Sequence, residues 1–317
     1  MNYIKKLNNF LNKRMYIIVF VGIAMGLLFS AELLAGKPAV PYIFAYITFT
    51  LALGTGWKDL KGVIKYPFPL LLTLICLHLI SPLFAYLLGN IFYGKTSLLT
   101  TGLILTTAIP VGVSSIIWVG LARGHVPLAL TTVAVDSLAS PLSVPLVIMA
   151  FLGKSVVFDA SGMVKSLFLM IFLPTVFGVL IHDLGGEKVA KMDRSALALL
   201  SKMGLSFVVG VNVAASREYL YTAGSRVILL FFVLIILVSS NYLLGFFAAK
   251  LAKFPREVAM SMLFQAGIRN ISAGVVVALN YFPPAAALPC IIGLLIQQPS
   301  ASIILHFMEK NNPQMIE

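Results

Sequence analysis

The chain has 317 residues, 60% of them hydrophobic and only 11% charged, against about 25% charged in ordinary soluble domains. That balance excludes a soluble globular protein and implies a polytopic helical membrane protein embedded in a lipid bilayer. The apolar residues run on instead of alternating, which argues against a β-barrel, and the net charge of +12 sits in short loops between apolar runs, where orientation signals belong, so no nucleic-acid partner is expected.

Met1–Arg14 is polar and basic. Span 1 is expected from about Met15 to Ala35, with Gly22-x-x-x-Gly26 inside it, a spacing that lets helices approach closely. The run is long enough to cross and lacks a small-residue cleavage site, so it is kept as a helix and not a signal peptide. Span 2, about Tyr42 to Gly56, is short for roughly 30 Å of hydrocarbon. Span 3 covers about Pro67 to Leu88, span 4 about Leu98 to Ala122, and span 5 about Pro127 to Leu152. The second half repeats the plan, with spans 6 to 10 at about Ser166–Ile181, Leu197–Ala215, Val227–Ala249, Val258–Tyr281 and Ala285–Phe307. An odd number of spans per half inverts the second half, so residues 1–160 and 161–317 are expected to be inverted five-helix repeats.

Loop charges give the orientation. The side shared with the N-terminus would hold Lys5, Lys6, Lys13, Arg14, Lys58, Lys61, Lys65, Arg123, Lys188, Lys191, Arg194, Lys250, Lys253, Arg256 and Lys310. The opposite side would hold Lys37, Lys95, Lys154, Lys165, Arg217 and Arg226. The excess places both termini in the cytoplasm, in an inner membrane of bacterial type. Cys76 and Cys290 lie in apolar runs and read as packed thiols, with no disulfide framework and no metal cluster.

Two stretches interrupt this apolar plan. Gln265-Ala266-Gly267-Ile268-Arg269-Asn270 puts an arginine, two amides and a glycine inside span 9. Charge at membrane depth faces a protein interior or a watery cavity, and non-helical backbone there is tolerated only where it is buried or lines a cavity. Pro110-Val111-Gly112-Val113-Ser114-Ser115 lies at the matching place in span 4. Aligning Gly112 with Gly267 also aligns Ser115 with Asn270 and Ile116 with Ile271. Interrupted helices at corresponding places in two halves are the best sequence pointer to a transporter's binding site.

Leu121-Ala122-Arg123-Gly124, then Val126 and Leu128, Ser140-Pro141, Tyr242 to Lys250, and Gly267 with Asn270 resemble, in order and spacing, the bile acid:sodium symporter family. The resemblance covers nearly the whole chain. It implies an all-α fold of ten transmembrane helices in two inverted repeats, with helices 4 and 9 broken and crossing at the midplane. Helices 3–5 and 8–10 would form a core, and helices 1, 2, 6 and 7 a panel.

The family's sodium positions, carried over one by one, fall on altered residues. The helix 9 glutamate falls on Gln265 and the glutamine after it on Arg269. The helix 4 asparagine falls on Ile116, the helix 5 hydroxyls on Ala129 and Val133, and the helix 3 glutamine on Leu77. Leu77, Ile116, Ala129 and Val133 have no side-chain oxygen, and Arg269 brings a competing charge. The expectation is that both sodium sites are lost and that Arg269 supplies a permanent positive charge instead. The family's substrate positions carry over to Val113, Ser114, Asn270 and Gln298, beside Gln297. Ser115, Gln265 and Arg269 complete the candidate substrate set, because an arginine fork suits a carboxylate or sulfonate.

The roles stay open at this level. Arg269 either binds substrate or is structural, tied to Asp136 or to freed carbonyls. Asp136 reads as a proton site, as the partner of Arg269, or as a group capped by Ser137, with the partner role favoured. His78 can titrate but reads as a packed residue, and Ser114 and Ser115 read equally as half-helix caps. The expected function is a secondary transporter that moves a small organic anion by alternating access, as a monomer, without sodium. Alternatives are a proton-coupled carrier using Asp136 or His78, and a channel or non-transporting sensor. No phosphate loop, metal motif or nucleophile with a base is present, so neither cofactor nor enzymatic chemistry is expected.

Overall fold

A computed structural model describes residues 2–13, 15–57, 65–153, 159–190, 192–222 and 224–311. Of the orienting charges, Arg14, Lys58, Lys61, Lys154 and Lys191 lie outside the described residues. Every regular element described is helical, apart from one isolated antiparallel bridge between Val111 and Arg269.

The chain opens with α1 (Asn2–Lys13), α2 (Met15–Leu28), α3 (Ser30–Ala35) and α4 (Val40–Ala52). Next come α5 (Pro67–Ile75), a π turn (Cys76–Ile80) and α6 (Ser81–Tyr93), stacked as one continuous run. The π turn sits just before Pro82. Proline has no N–H to return to the preceding turn, and a local π turn is one way a helix absorbs that loss. The first half ends with α7 (Leu98–Ala108), α8 (Ser115–Leu121) and α9 (Val126–Leu152). Ser97 caps α7 by accepting the Leu99 N–H, and His125 caps α9 by accepting the Leu128 N–H through Nδ1.

The second half contains α10 (Ala160–Leu167), a second π turn (Phe168–Phe172), α11 (Leu173–Ala190), α12 (Ser195–Thr222) and α13 (Ser225–Leu251). It closes with α14 (Arg256–Gly267), α15 (Ile271–Tyr281), a 3-10 turn (Pro284–Ala287) and α16 (Leu288–Asn311). Asp159 starts α10 by accepting the Gly162 N–H, and that bond, helped by the Ser161 hydroxyl, holds its carboxyl below the usual range.

Six helical runs are long and apolar enough to cross a bilayer: Pro67–Tyr93, Val126–Leu152, Ala160–Gly186, Ser195–Glu218, Arg226–Leu251 and Pro284–Met308. They fall on expected spans 3, 5, 6, 7, 8 and 10. Spans 1, 2, 4 and 9 are shorter pieces. Helix α2 stops at Leu28 before α3, α4 has 13 residues, and spans 4 and 9 are each divided into two helices.

Two groups of helices pack around the interior. Helices α2 and α4 lie against α12, and α4 also lies against α11. Gly22 and Gly26 make the α2–α12 contact possible: a Cβ at either would meet the carbonyl of Ser206 or Gly210 at 2.5 Å. The other group holds α13 against α14 and α16, α7 against α6 and α16, and α8 against α14.

Candidate functional site

The backbone leaves the helix after Ala108 and after Gly267, and the two open segments meet. Gly112 N–H donates to Ile268 O at 2.9 Å, and Asn270 N–H donates to Pro110 O at 2.8 Å. This two-stranded patch pairs polar groups that would otherwise be orphaned inside the protein. The crossing also explains one glycine, because a Cβ on Gly267 would land on the Tyr242 ring.

A side chain supplies the third partner. Gln297 on α16 accepts the Arg269 N–H through Oε1 at 2.8 Å and returns its Nε2–H to Arg269 O at 3.0 Å. It pairs both free backbone groups of Arg269, as a neighbouring strand would. The Tyr242 hydroxyl donates to Gln297 O at 2.9 Å. Sequence reasoning singled out Gln298 instead. Gln298 accepts Trp118 Nε1–H at 2.8 Å and donates to Ser114 Oγ at 3.1 Å. Ser114 therefore starts α8 without a side-chain cap, and Ser115 Oγ is buried with no partner.

Arg269 is 3% exposed. Its Nη2–H donates to Leu77 O at 2.6 Å and its Nη1–H to Ile109 O at 3.2 Å, while Nε has no partner. Gln265 behaves alike, donating Nε2–H to Ala129 O at 2.9 Å. Leu77, Val111 and Val133 form a small apolar cluster with Val113 and Ile116 packed on it. Leu77 and Ala129, expected from the resemblance at sodium positions, thus offer backbone carbonyls, and donor side chains take both. Among the described residues no group of three or more His, Cys, Asp or Glu is placed to hold a metal ion.

The favoured pairing of Asp136 with Arg269 is not the ion pair formed. Asp136 is fully buried, and its Oδ1 lies 2.5 Å from His78 Nε2. Its Oδ2 accepts the Val111 N–H at 2.7 Å. The physical reason is reach: the guanidinium is already drawn onto two carbonyls, whereas the π turn brings His78 to the carboxylate. His78 is therefore hydrogen-bonded to the Asp136 carboxylate, not merely packed.

A cavity of about 30 Å³ lies between the two helix groups. Val113 and Asn270 of the crossing line it, with Thr48 and Thr55, Ser137 of α9 and Thr175 of α11 as its other polar residues. It holds one or two waters at most. Val113 and Asn270 are the candidate substrate residues found here. Arg269, Gln265, Ser114, Ser115 and Gln298 do not line it.

The chain matches the Sodium Bile acid symporter family over residues 41–223. The Bacillus subtilis protein YbaS, described as uncharacterized, is 33% identical over 91% of this chain and 94% of its own length. The uncharacterized sodium-dependent transporter YocS of the same organism is 26% identical over 98% and 95%. The probable sodium/metabolite cotransporter BASS1, chloroplastic, of Arabidopsis thaliana is 22% identical over 82% of this chain and 64% of its own length. With an integral membrane architecture of apolar helices and a family match over more than half its length, the chain belongs to the sodium bile acid symporter family.

Proposed function

We propose that the chain is a secondary transporter that carries a small organic anion, a carboxylate or sulfonate, by alternating access and without sodium. The observation that carries this reading is the placement of Arg269. Its permanent positive charge lies inside the protein, bonded to Leu77 O and Ile109 O, with its neighbour Asn270 on the cavity wall. The names of the relatives support a transporter, and the crossing supports a fixed binding place within it.

The donors gathered at the crossing argue against sodium. A sodium ion needs several oxygens, and the carbonyls of Leu77, Ile109 and Ala129 are occupied by the donors of Arg269 and Gln265. Arg269 acts as a built-in cation that biases the crossing toward an anion. In this reading it does so through its field, while Asn270, Thr48, Thr55, Ser137 and Thr175 make the contacts. The N-terminus of α15, which starts after Asn270, adds partial positive charge and free N–H groups.

The helix groups divide the work. Helices 1, 2, 6 and 7 of the ten-span count form a panel, and helices 3–5 and 8–10 a core. The small cavity between them opens to either side as the two rock against each other. The repeats are residues 1–160 and 161–317, inverted, in a monomer with both termini cytoplasmic. Cysteines introduced at Ser161 and Met192 then label from opposite sides, against a silent background of buried Cys76 and Cys290.

Counterflow tests the reading. Proteoliposomes preloaded with unlabelled pyruvate or isethionate are expected to draw in the labelled anion transiently, equally in sodium and choline. A channel or a non-transporting sensor gives no such overshoot.

A further inference from the structure

We propose that His78 and Asp136 form a proton-binding site that couples the anion to the proton gradient, one proton per anion; this rests on the carrier reading above. His78 is the third residue of the π turn Cys76–Ile80. The turn sends two consecutive residues to the crossing: Leu77 O accepts Arg269, and the His78 ring meets Asp136. π turns inside helices are frequent at functional sites. Asp136 in turn holds the Val111 N–H of the first break. One carboxylate thus joins a titratable ring to the backbone that lines the cavity at Val113.

The ring has an open position. With Nε2 donating to Asp136, Nδ1 is a lone-pair acceptor, and it is buried without a partner. A proton from solution adds there, no bond breaks, and the Nε2–H still points at the carboxylate. An imidazole can carry a proton on either ring nitrogen or on both.

The surrounding groups are few. Helix α9 brings Asp136, with His125 at its far end, and the second break brings Arg269, bonded next door at Leu77 O. Helix α13 brings Asn241, which accepts from Ser81, and Tyr242, whose hydroxyl is committed to Gln297 O; its Arg226 and Lys250 sit at the ends. Helix α6 brings Tyr86, against Phe151, and Tyr93 near its end, while α5 and α7 contain no titratable side chain. Cys76 is the buried neighbour one residue before Leu77.

Charge balance then gives the coupling. Asp136 and Arg269 sum to zero with His78 neutral. Adding a proton alone makes the crossing +1, and adding an anion alone makes it −1. Adding both returns it to zero. A net charge is costly to carry through low dielectric, so only the empty and doubly loaded forms exchange sides readily. Transport is therefore electroneutral.

The test uses the intact protein in proteoliposomes, with labelled pyruvate and isethionate as probes. The expected result is accumulation of about tenfold per pH unit of inward gradient, the ratio set by one proton per anion, with no effect of an imposed membrane potential. His78→Gln and Asp136→Asn are both expected to bring accumulation to about onefold, and His78→Gln, whose only anion-loaded form carries −1, is expected to slow counterflow at equal pH as well. Counterflow without gradient-driven accumulation in the wild type, or accumulation retained by His78→Gln, overturns the proposal. Absence of counterflow for both probes sinks the carrier reading instead. The proton site is then decided without substrate, by pH steps on protein-loaded solid-supported membranes. A transient current lost in His78→Gln supports the site, and the same current in both proteins overturns it.

Discussion

The open segment of the first half, from Ile109 to Ser114, has no charged side chain, and what it and its neighbours offer the crossing is mainly acceptors. Leu77 O, Ile109 O, Pro110 O and Ala129 O all receive hydrogen bonds from the second half. The second half brings the donors, through Arg269 of its open segment Ile268 to Asn270 and through Gln265 of α14. The two interrupted stretches have thus taken complementary jobs. The difference teaches where a cation can reside: the second half has built one into its own chain, over carbonyls of the first.

Breaking that complementarity at Arg269 has the largest expected effect. Arg269→Gln leaves buried carbonyls unpaired and Asp136 without its nearby fixed cation, and is expected to cost about 3–5 kcal/mol, read as a fall in melting temperature. Arg269→Lys restores the charge but not the fork, so it recovers only part. Adding Asp136→Asn to Arg269→Gln recovers most of the loss if charge balance dominates. No recovery would mean that the carbonyl hydrogen bonds carry the stability.

A middle-sized effect separates two adjacent amides. Gln297→Leu strands both backbone groups of Arg269, at about 1–3 kcal/mol for each buried group. Gln298→Leu removes bonds to Trp118 and Ser114, which are only partly buried, and is expected to cost about 1 kcal/mol. Equal losses in thermal unfolding would contradict the strand-like role of Gln297.

The smallest effect sits at the position aligned with Asn270. Ser115 Oγ is buried and has no partner, so Ser115→Ala is expected to change stability by about 0.5 kcal/mol or less. Asn270, on the cavity wall, is the residue whose replacement should alter anion counterflow. A large loss of transport in Ser115→Ala with none in Asn270→Ala would reverse the assignment of the two halves.

Parts of this site were legible in the sequence. Pro110, Gly112 and Gly267 mark the places where the backbone leaves the helix, and Arg269 among apolar residues marks a buried charge. Gly22 and Gly26 announce a close helix contact. The partners of Arg269 were not legible, because backbone carbonyls such as Leu77 O carry no residue signal. The His78–Asp136 pair joins residues 58 apart in the chain, through a π turn that periodicity does not reveal. Gln297 and Gln298 differ only in their rotation about α16, which is a packing outcome.

The central claim is that Arg269 and Gln265 fill the acceptors a sodium ion would need. Melting temperature of the purified protein, titrated with sodium chloride against choline chloride at constant ionic strength, tests it without any substrate. The two curves are predicted to coincide. A saturable rise in melting temperature with sodium alone would contradict the claim.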